Sequence, residues 1–332
     1  MSERKLPLVG FALATILLSG CATKVFDLQG HRGARGLAPE NTLPAFATAL
    51  SIGVVTLELD TGITRDGVVV VSHDPYLNPD ITRGPDGAFL KDKGPPIHSL
   101  NWAELQRYEL GRINPQSAYA KTQPQQKAVD GTRMPRLADV FALARRAGNF
   151  DVRFNIETKL SPLLPEQTLP PEDFTDRLLA VIYANGMSGR VTIQSFDWRT
   201  LQRAQRVAPE IPTVYLSAQQ KFFDNIAVDK PQGSPWVAGF QAKEHGNSVA
   251  RMVHAAGGRV WSPYFGDVDQ AKIDEAHSLK LDVVVWTVNK PADIEKMLEM
   301  KVDGITSDRP DLVRMALAAR RIPLPRPTPV AP

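Results

Sequence analysis

Eight short apolar runs, separated by longer stretches of helical character, constrain this chain more than any other feature of its sequence. The runs fall at residues 25–28, 54–59, 152–156, 191–193, 213–216, 260–261, 283–287 and 304–306. Helix-like stretches at 137–147, 174–184, 200–207, 248–256, 269–278 and 292–300 lie between them. Strands that alternate with helices build a parallel sheet. Eight such units are the number that closes a (β/α)8 TIM barrel. A ninth apolar run at 236–240 reads as an extra element before the sixth strand. A length of 332 residues with 43% hydrophobic content is enough for one large domain or two small ones, and α/β barrels often fill it as one, so length alone does not decide.

Three segments depart from this rhythm. Residues 78–133, after the second strand, are rich in Pro, Gly, Asn and Gln, with one amphipathic stretch that includes Trp102, Leu105, Tyr108 and Leu110. An insertion of this length usually sits over the active face of a barrel, so a partly ordered lid is expected. Residues 321–332 are Pro-rich and predict an extended, loose tail. At the other end, Arg4 and Lys5 precede an apolar stretch at 6–18, then Leu18-Ser19-Gly20-Cys21. That is the pattern of a secretory signal, too short to span a bilayer comfortably. Its ending resembles the lipobox of bacterial lipoproteins, where cleavage leaves the cysteine first and lipid is added to it. Residues 1–20 are therefore expected to be removed, leaving a barrel over 21–320 lipidated at Cys21. Ala22 rather than Asp at the next position resembles the sorting signal for the outer membrane, on its periplasmic side. Cys21 is the single cysteine, so the fold stands without an internal disulfide. The net charge of +3 comes without any long basic run, which gives no support to a nucleic-acid partner. Oligomeric state is not legible.

The polar residues gather where the strands end. Leu28-Gln29-Gly30-His31-Arg32-Gly33 puts a histidine and an arginine on a glycine-flanked turn. Histidine moves protons near neutral pH, and the arginine fork suits a phosphate. Pro39-Glu40-Asn41-Thr42, before Leu43-Pro44, reads as a capped helix start. On the second strand Glu58 and Asp60 share one face, because strand side chains alternate. Two carboxylates aimed into a barrel mouth are costly unless a cation lies between them, and hard oxygen ligands suit Mg²⁺ or Ca²⁺. Asp66-Gly67 is a turn signal, and residues 68–71 form the return arm that brings His73-Asp74 beside the same mouth. On the third strand Asn155, Glu157 and Lys159 share a face; Glu157 can complete a carboxylate trio and Lys159 can hold an anion. Further polar groups close the fourth, seventh and eighth strands, at Gln194-Ser195-Phe196-Asp197, Trp286-Thr287-Val288-Asn289 and Asp303 to Asp308.

The run His31-Arg32-Gly33 followed by Pro39-Glu40-Asn41-Thr42 resembles the opening signature of the glycerophosphodiester phosphodiesterase family. The likeness continues through Glu58-Leu59-Asp60, Asp66-Gly67, His73-Asp74, Asn155-Ile156-Glu157 with Lys159, Gln194-Ser195-Phe196, Trp286-Thr287-Val288-Asn289 and Asp303-Gly304. It covers residues 26–312. The resemblance implies a (β/α)8 barrel with an insertion after strand two, a bound divalent cation, and hydrolysis of small glycerophosphodiesters to glycerol 3-phosphate and an alcohol. It implies that His31 and His73 are the acid/base pair and that Glu58, Asp60 and Glu157 hold the metal. Arg32 and Lys159 become phosphate contacts. Gln194, Phe196 and Trp286 are candidate substrate-binding residues from their place at the strand ends, with plain core as the alternative for Phe196 and Trp286. Thr61 is expected to face away from the mouth.

Two other readings compete. A phospholipase on the same barrel, of the phosphatidylinositol-specific or sphingomyelinase D type, would need an exposed apolar rim; Trp102 and Leu105 in the insertion could supply one. A lipoprotein that only binds would not need His31, His73, Glu58, Asp60 and Glu157 together.

Overall fold

The computed structural model describes residues 25–230 and 232–332; the expected signal segment and Cys21 lie outside the described residues. In chain order the strands are β1 (Asp27–Gly30), β2 (Thr56–Ile63), β3 (Val69–Val71), β4 (Arg153–Thr158), β5 (Val191–Ser195), β6 (Thr213–Ser217), β7 (Gln219–Gln220), β8 (Phe223–Asp224), β9 (Val260–Pro263), β10 (Asp282–Val285) and β11 (Gly304–Ser307). Eight of them, β1, β2, β4, β5, β6, β9, β10 and β11, pair in parallel, and β1 pairs with both β11 and β2, so the sheet closes on itself. All eight expected strands are present, several of them ending a residue or more further along the chain. The stretch at 236–240 is not a strand: Pro235–Val237 form a 3-10 turn, because Pro235 fixes the backbone and removes a donor.

The helices are α1 (Leu43–Ile52), α2 (Trp102–Leu105), α3 (Leu137–Arg146), α4 (Pro171–Ala184), α5 (Trp198–Val207), α6 (Val249–Ala255), α7 (Gln270–Ser278), α8 (Pro291–Glu299) and α9 (Pro310–Ala319). α1 begins as its sequence predicts: Thr42 caps it by accepting from the Ala45 amide, and Pro44 lies in the first turn. It stops at Gly53, whose φ of 83° is left-handed and whose amide donates to the Ala49 carbonyl.

Strand alternation sorts the barrel into two environments. Leu28, Leu57, Leu59, Phe154, Ile156, Ile193, Tyr215 and Ile305 join the apolar core between sheet and helices, with Phe46, Phe141 and Trp198. The side chains between them turn inward and are polar. Asn155 donates to Gln29 and Gln194, Thr306 donates to Gln29, Gln29 donates to Asp27, and Gln194 donates to Glu58. A continuous hydrogen-bonded chain therefore runs up the barrel from Asp27 to the mouth, which satisfies groups that would otherwise be costly to bury.

The insertion after β2 is ordered by a core of its own. Val70, Leu77, Ile97, Leu105, Leu110 and Met134 pack together, with Trp102 and Tyr108 against them. The tail has no helix or strand, as its prolines predict, yet it is not loose. The Thr328 amide donates to the Leu50 carbonyl at 2.9 Å, Asn149 donates to Thr328, and Arg314 donates to the Pro325 carbonyl at 2.8 Å. Extended proline-rich backbone leaves its carbonyls free, and Arg314 uses that of Pro325.

Candidate active site

The barrel's C-terminal end opens into a cavity of about 180 Å³. His31, Arg32, Glu58, Asp60, His73, Glu157, Lys159, Gln194, Phe196 and Trp286 all line it. Every site residue expected from the sequence, apart from Cys21, is thus brought to one place. Six strands deliver them, β1, β2, β3, β4, β5 and β10. Gly30 ends β1 and is obligatory: a Cβ there would lie 2.1 Å from the Gly33 carbonyl oxygen. The turn that follows holds Arg32 at φ 49°, an uncommon conformation for a side chain of this size. The Arg32 amide donates to Glu58 Oε2 at 2.7 Å, and its guanidinium pairs with Glu40 at 2.5 Å and lies 3.3 Å from Asp60. Those contacts fix the turn. β3 pairs antiparallel with the end of β2 through the Gly67 turn and returns His73 to the mouth, as the Asp66-Gly67 signal predicts.

Glu58, Asp60 and Glu157 each offer an oxygen within 4.8 Å of the others, and all three are buried. Asp60 is well compensated. Burial opposes its charge, but His73, Arg32 and Lys159 outweigh that and hold its carboxyl far below the usual range. Glu157 pairs with Lys159 at 2.9 Å. Burial nevertheless pushes it up to about 7, with the Asp60 charge adding to that against Lys159. Glu58 stands apart. It accepts from the Arg32 amide and from Gln194, and its nearest ionisable partner among the described residues is the His31 ring, 4.0 Å away. Burial and the charge of Asp60 raise its carboxyl well above the ordinary range. A cation among these oxygens would remove that penalty. The donor set, all carboxylate, is that of a hard divalent ion, so the residues fit one.

The histidines are held from behind. Asp308 Oδ1 lies 2.6 Å from His31 Nδ1, leaving Nε2 toward the cavity. Asp308 also accepts two hydrogen bonds from Arg35, at 2.8 Å each, and one from Asn289. Burial and the neighbouring Arg35 charge lower the His31 ring to about 4, so it is neutral near pH 7. His73 Nδ1 lies 3.2 Å from Asp74, and burial with Arg32 and Lys159 lowers its ring as well. Asp74 therefore faces His73, and it also accepts from Asn78 at the start of the insertion.

Arg35, Glu40 and Asp308 belong to this site without having been given roles from the sequence. A signal for Asp308 exists. Gly30 of β1 and Ser307 of β11 are register partners, so the next residues, His31 and Asp308, become neighbours once the barrel closes. The insertion reaches the same arc. Tyr119 donates to Glu40, Gln123 to Asp308 at 3.4 Å, and Arg309 to Gln125. Gln194 sits beneath Glu58 and orients it. His98, His245, His254 and His277 do not line the cavity.

The model of the glycerophosphoryl diester phosphodiesterase family matches residues 31–312. A glycerophosphodiester phosphodiesterase of Bacillus subtilis is 28% identical over 287 residues, covering 85% of this chain and 83% of its own. A structure from Silicibacter pomeroyi DSS-3, assigned to the same activity, superposes with a TM-score of 0.79 at 33% identity, covering 90% of this chain and 95% of that one. An Oleispira antarctica phosphodiesterase, solved with its product sn-glycerol-3-phosphate, shares the fold at 21% identity and TM-score 0.62, covering 87% of this chain and 96% of that one.

Proposed function

The chain belongs to the glycerophosphoryl diester phosphodiesterase family, a family of hydrolases, and from that premise we propose that it cleaves small glycerophosphodiesters to glycerol 3-phosphate and an alcohol by acid/base catalysis at His31 and His73. The observation that carries this reading is the convergence of both rings with Glu58, Asp60 and Glu157 in one cavity. The product bound to the Oleispira relative supports the substrate class.

Glu58, Asp60 and Glu157 would hold a divalent ion, Mg²⁺ or Ca²⁺, whose role is to offset the negative charge that grows on the phosphoryl oxygens. The chain's own groups do the rest. Lys159 and Arg32 draw the phosphate into the cavity and keep it there. One histidine takes the proton of the attacking hydroxyl, and the other gives a proton to the departing alkoxide. Asp308 fixes the His31 tautomer with Nδ1 protonated, so that Nε2 is the working atom. Phe196 and Trp286 pack against the carbon side of the substrate.

Export and lipidation at Cys21 complete the reading. β1 begins at Asp27, six residues beyond Cys21. A tether of that length spans at most about 20 Å. It would keep the foot of the barrel near the membrane and turn the mouth toward the aqueous phase, from which soluble diesters arrive. Replacing Cys21 by Ala should move the protein from the membrane to the soluble fraction; unchanged fractionation contradicts the anchor.

The test of the activity is release of glycerol 3-phosphate from glycerophosphocholine by the purified protein. Absence of turnover with added divalent metal overturns the reading.

A further inference from the structure

The two ends of the barrel carry unlike charge. Its helices start at the mouth and end at the foot, because each returns the chain to the start of a parallel strand. The first turns of α4, α8 and α9 hold Glu172, Asp173, Asp293 and Asp311. At the other end Arg146, Arg259, Lys280, Lys301, Arg321 and Arg326 stand exposed on the last residue of α3, the connections after α6, α7 and α8, and the tail. None of the six enters a salt bridge among the described residues, whereas the neighbouring Arg153 and Arg320 pair with Asp27 and Glu295. The exposed acids at this level are Asp151, Glu210 and Glu299. Asp27, Asp282 and Asp303 lie deeper, half-buried and partnered.

Three of the cations occupy positions that favour a different residue. Lys280, Lys301 and Arg321, just past the ends of α7, α8 and α9, have left-handed φ of 61°, 60° and 58°. At the matching points after α3, α4 and α6 the chain has Gly148, Gly186 and Gly257, and glycine takes this conformation without strain. A helix dipole favours a cation near its C-terminus, but in α8 Lys296 already supplies one in the last turn.

We propose that the foot of the barrel is a docking surface for an anionic phospholipid bilayer, with these cations on the lipid phosphates. Phe150, 68% exposed in the connection after α3, enters the headgroup layer beside them. Val25 lies on the same face, so a lipid on Cys21 would bring this face to the membrane. Nucleic acid is the poorer partner. It takes a basic stripe or cleft, whereas the six cations come from five separate segments around the foot, which suits a flat surface. Alone, such a surface binds reversibly and is lost on dilution and washing; with a lipid on Cys21 it makes the second of two attachments. The proposal does not rest on the diesterase reading.

The test uses residues 21–332 with Cys21→Ser, made without the signal segment; the sheet closes β1 on β11 within the described residues, so the barrel does not need that segment. Cosedimentation is followed with vesicles of phosphatidylcholine alone and of phosphatidylcholine with phosphatidylglycerol. The protein should bind the second and not the first, and should bind less as salt rises. Each cation at an anionic surface is worth about fivefold in binding. Lys280→Gly, Lys301→Gly and Arg321→Gly together should therefore weaken it by about 10²-fold. The variant stays folded, since glycine suits the left-handed positions, and keeps its glycerophosphocholine turnover, since none of the three lines the diester cavity. Vesicles should slow amide exchange in residues 147–152, 279–281 and 300–302. Undiminished vesicle binding by the triple variant overturns the proposal and leaves the cations as helix caps. Equal binding to both vesicles, protection at the mouth instead of the foot, or binding to duplex DNA in preference to vesicles at the same salt overturns it as well.

Discussion

Asp308 is the residue on which the proposed chemistry of His31 turns. Its carboxylate is buried, 1% exposed, and it meets Arg35, Asn289 and the His31 ring at once. Asp308→Asn keeps the shape but offers an amide where a carboxylate fixed the tautomer, so kcat should fall about 10²-fold while KM changes little. An equal rise in KM, or unchanged kcat, would show that Asp308 only packs. Replacing His31 or His73 should cost about 10²–10⁴ in kcat. On a diester with a nitrophenol leaving group, which departs without a proton, the variant lacking the general acid should recover and the other should not; equal recovery of both contradicts the two-histidine mechanism. The His31 ring also sets a stability limb in metal-free protein. Its folded pKa is lowered to about 4. The unfolded chain titrates near 6.5, so below that pH the unfolded state gains a proton that the folded state refuses, and stability falls as pH drops from about 6.5 to about 4. The loss amounts to about 3 kcal/mol at most. Denaturant midpoints between pH 7 and 4 check it: His31→Asn should flatten that limb, and an unchanged slope would assign it elsewhere.

At the scale of elements, alternation along strands made much of the site legible. Glu58 and Asp60, and Glu157 with Lys159, project into the mouth as their spacing requires, and Leu57 and Leu59 turn to the helices. What spacing could not supply was lateral contact between elements distant in the chain. Asp308 was visible as a strand-end aspartate, but its pairing with His31 exists only through the closure of β11 onto β1. Glu40 pairs with Arg32 within the first turn, but it finds Tyr119 only once the insertion folds over that turn. Trp102 and Leu105 were candidates for an exposed rim, and they pack into the insertion's own core instead. The composition of 78–133 hid this because a small core needs few apolar residues. That core is separate from the barrel's, which gives a prediction. Leu105→Ala should cost about 2–5 kcal/mol of local stability. Limited proteolysis should then cut within 78–133 first while the barrel stays intact. Cooperative loss of the whole protein would contradict the independence of the two cores.

At the scale of the molecule, the barrel is a polar column inside an apolar shell, capped by three acids at one end and strapped by the tail at the other. The eight-strand repeat was readable because each βα unit carries its own periodicity. The tail was not, because proline predicts extension without saying what lies beneath it. Among the described residues the Glu58 carboxylate makes no ion pair with a Lys or Arg, and it is the feature that most asks for a cation. The central claim is that metal and histidines act together in this mouth, and the most direct measurement is glycerophosphocholine turnover by purified protein before chelation, after exhaustive chelation, and after Mg²⁺ or Ca²⁺ is restored. The account predicts that activity disappears with the metal and returns with it, and that Glu58→Gln blunts the return. Full activity in the chelated protein would contradict it.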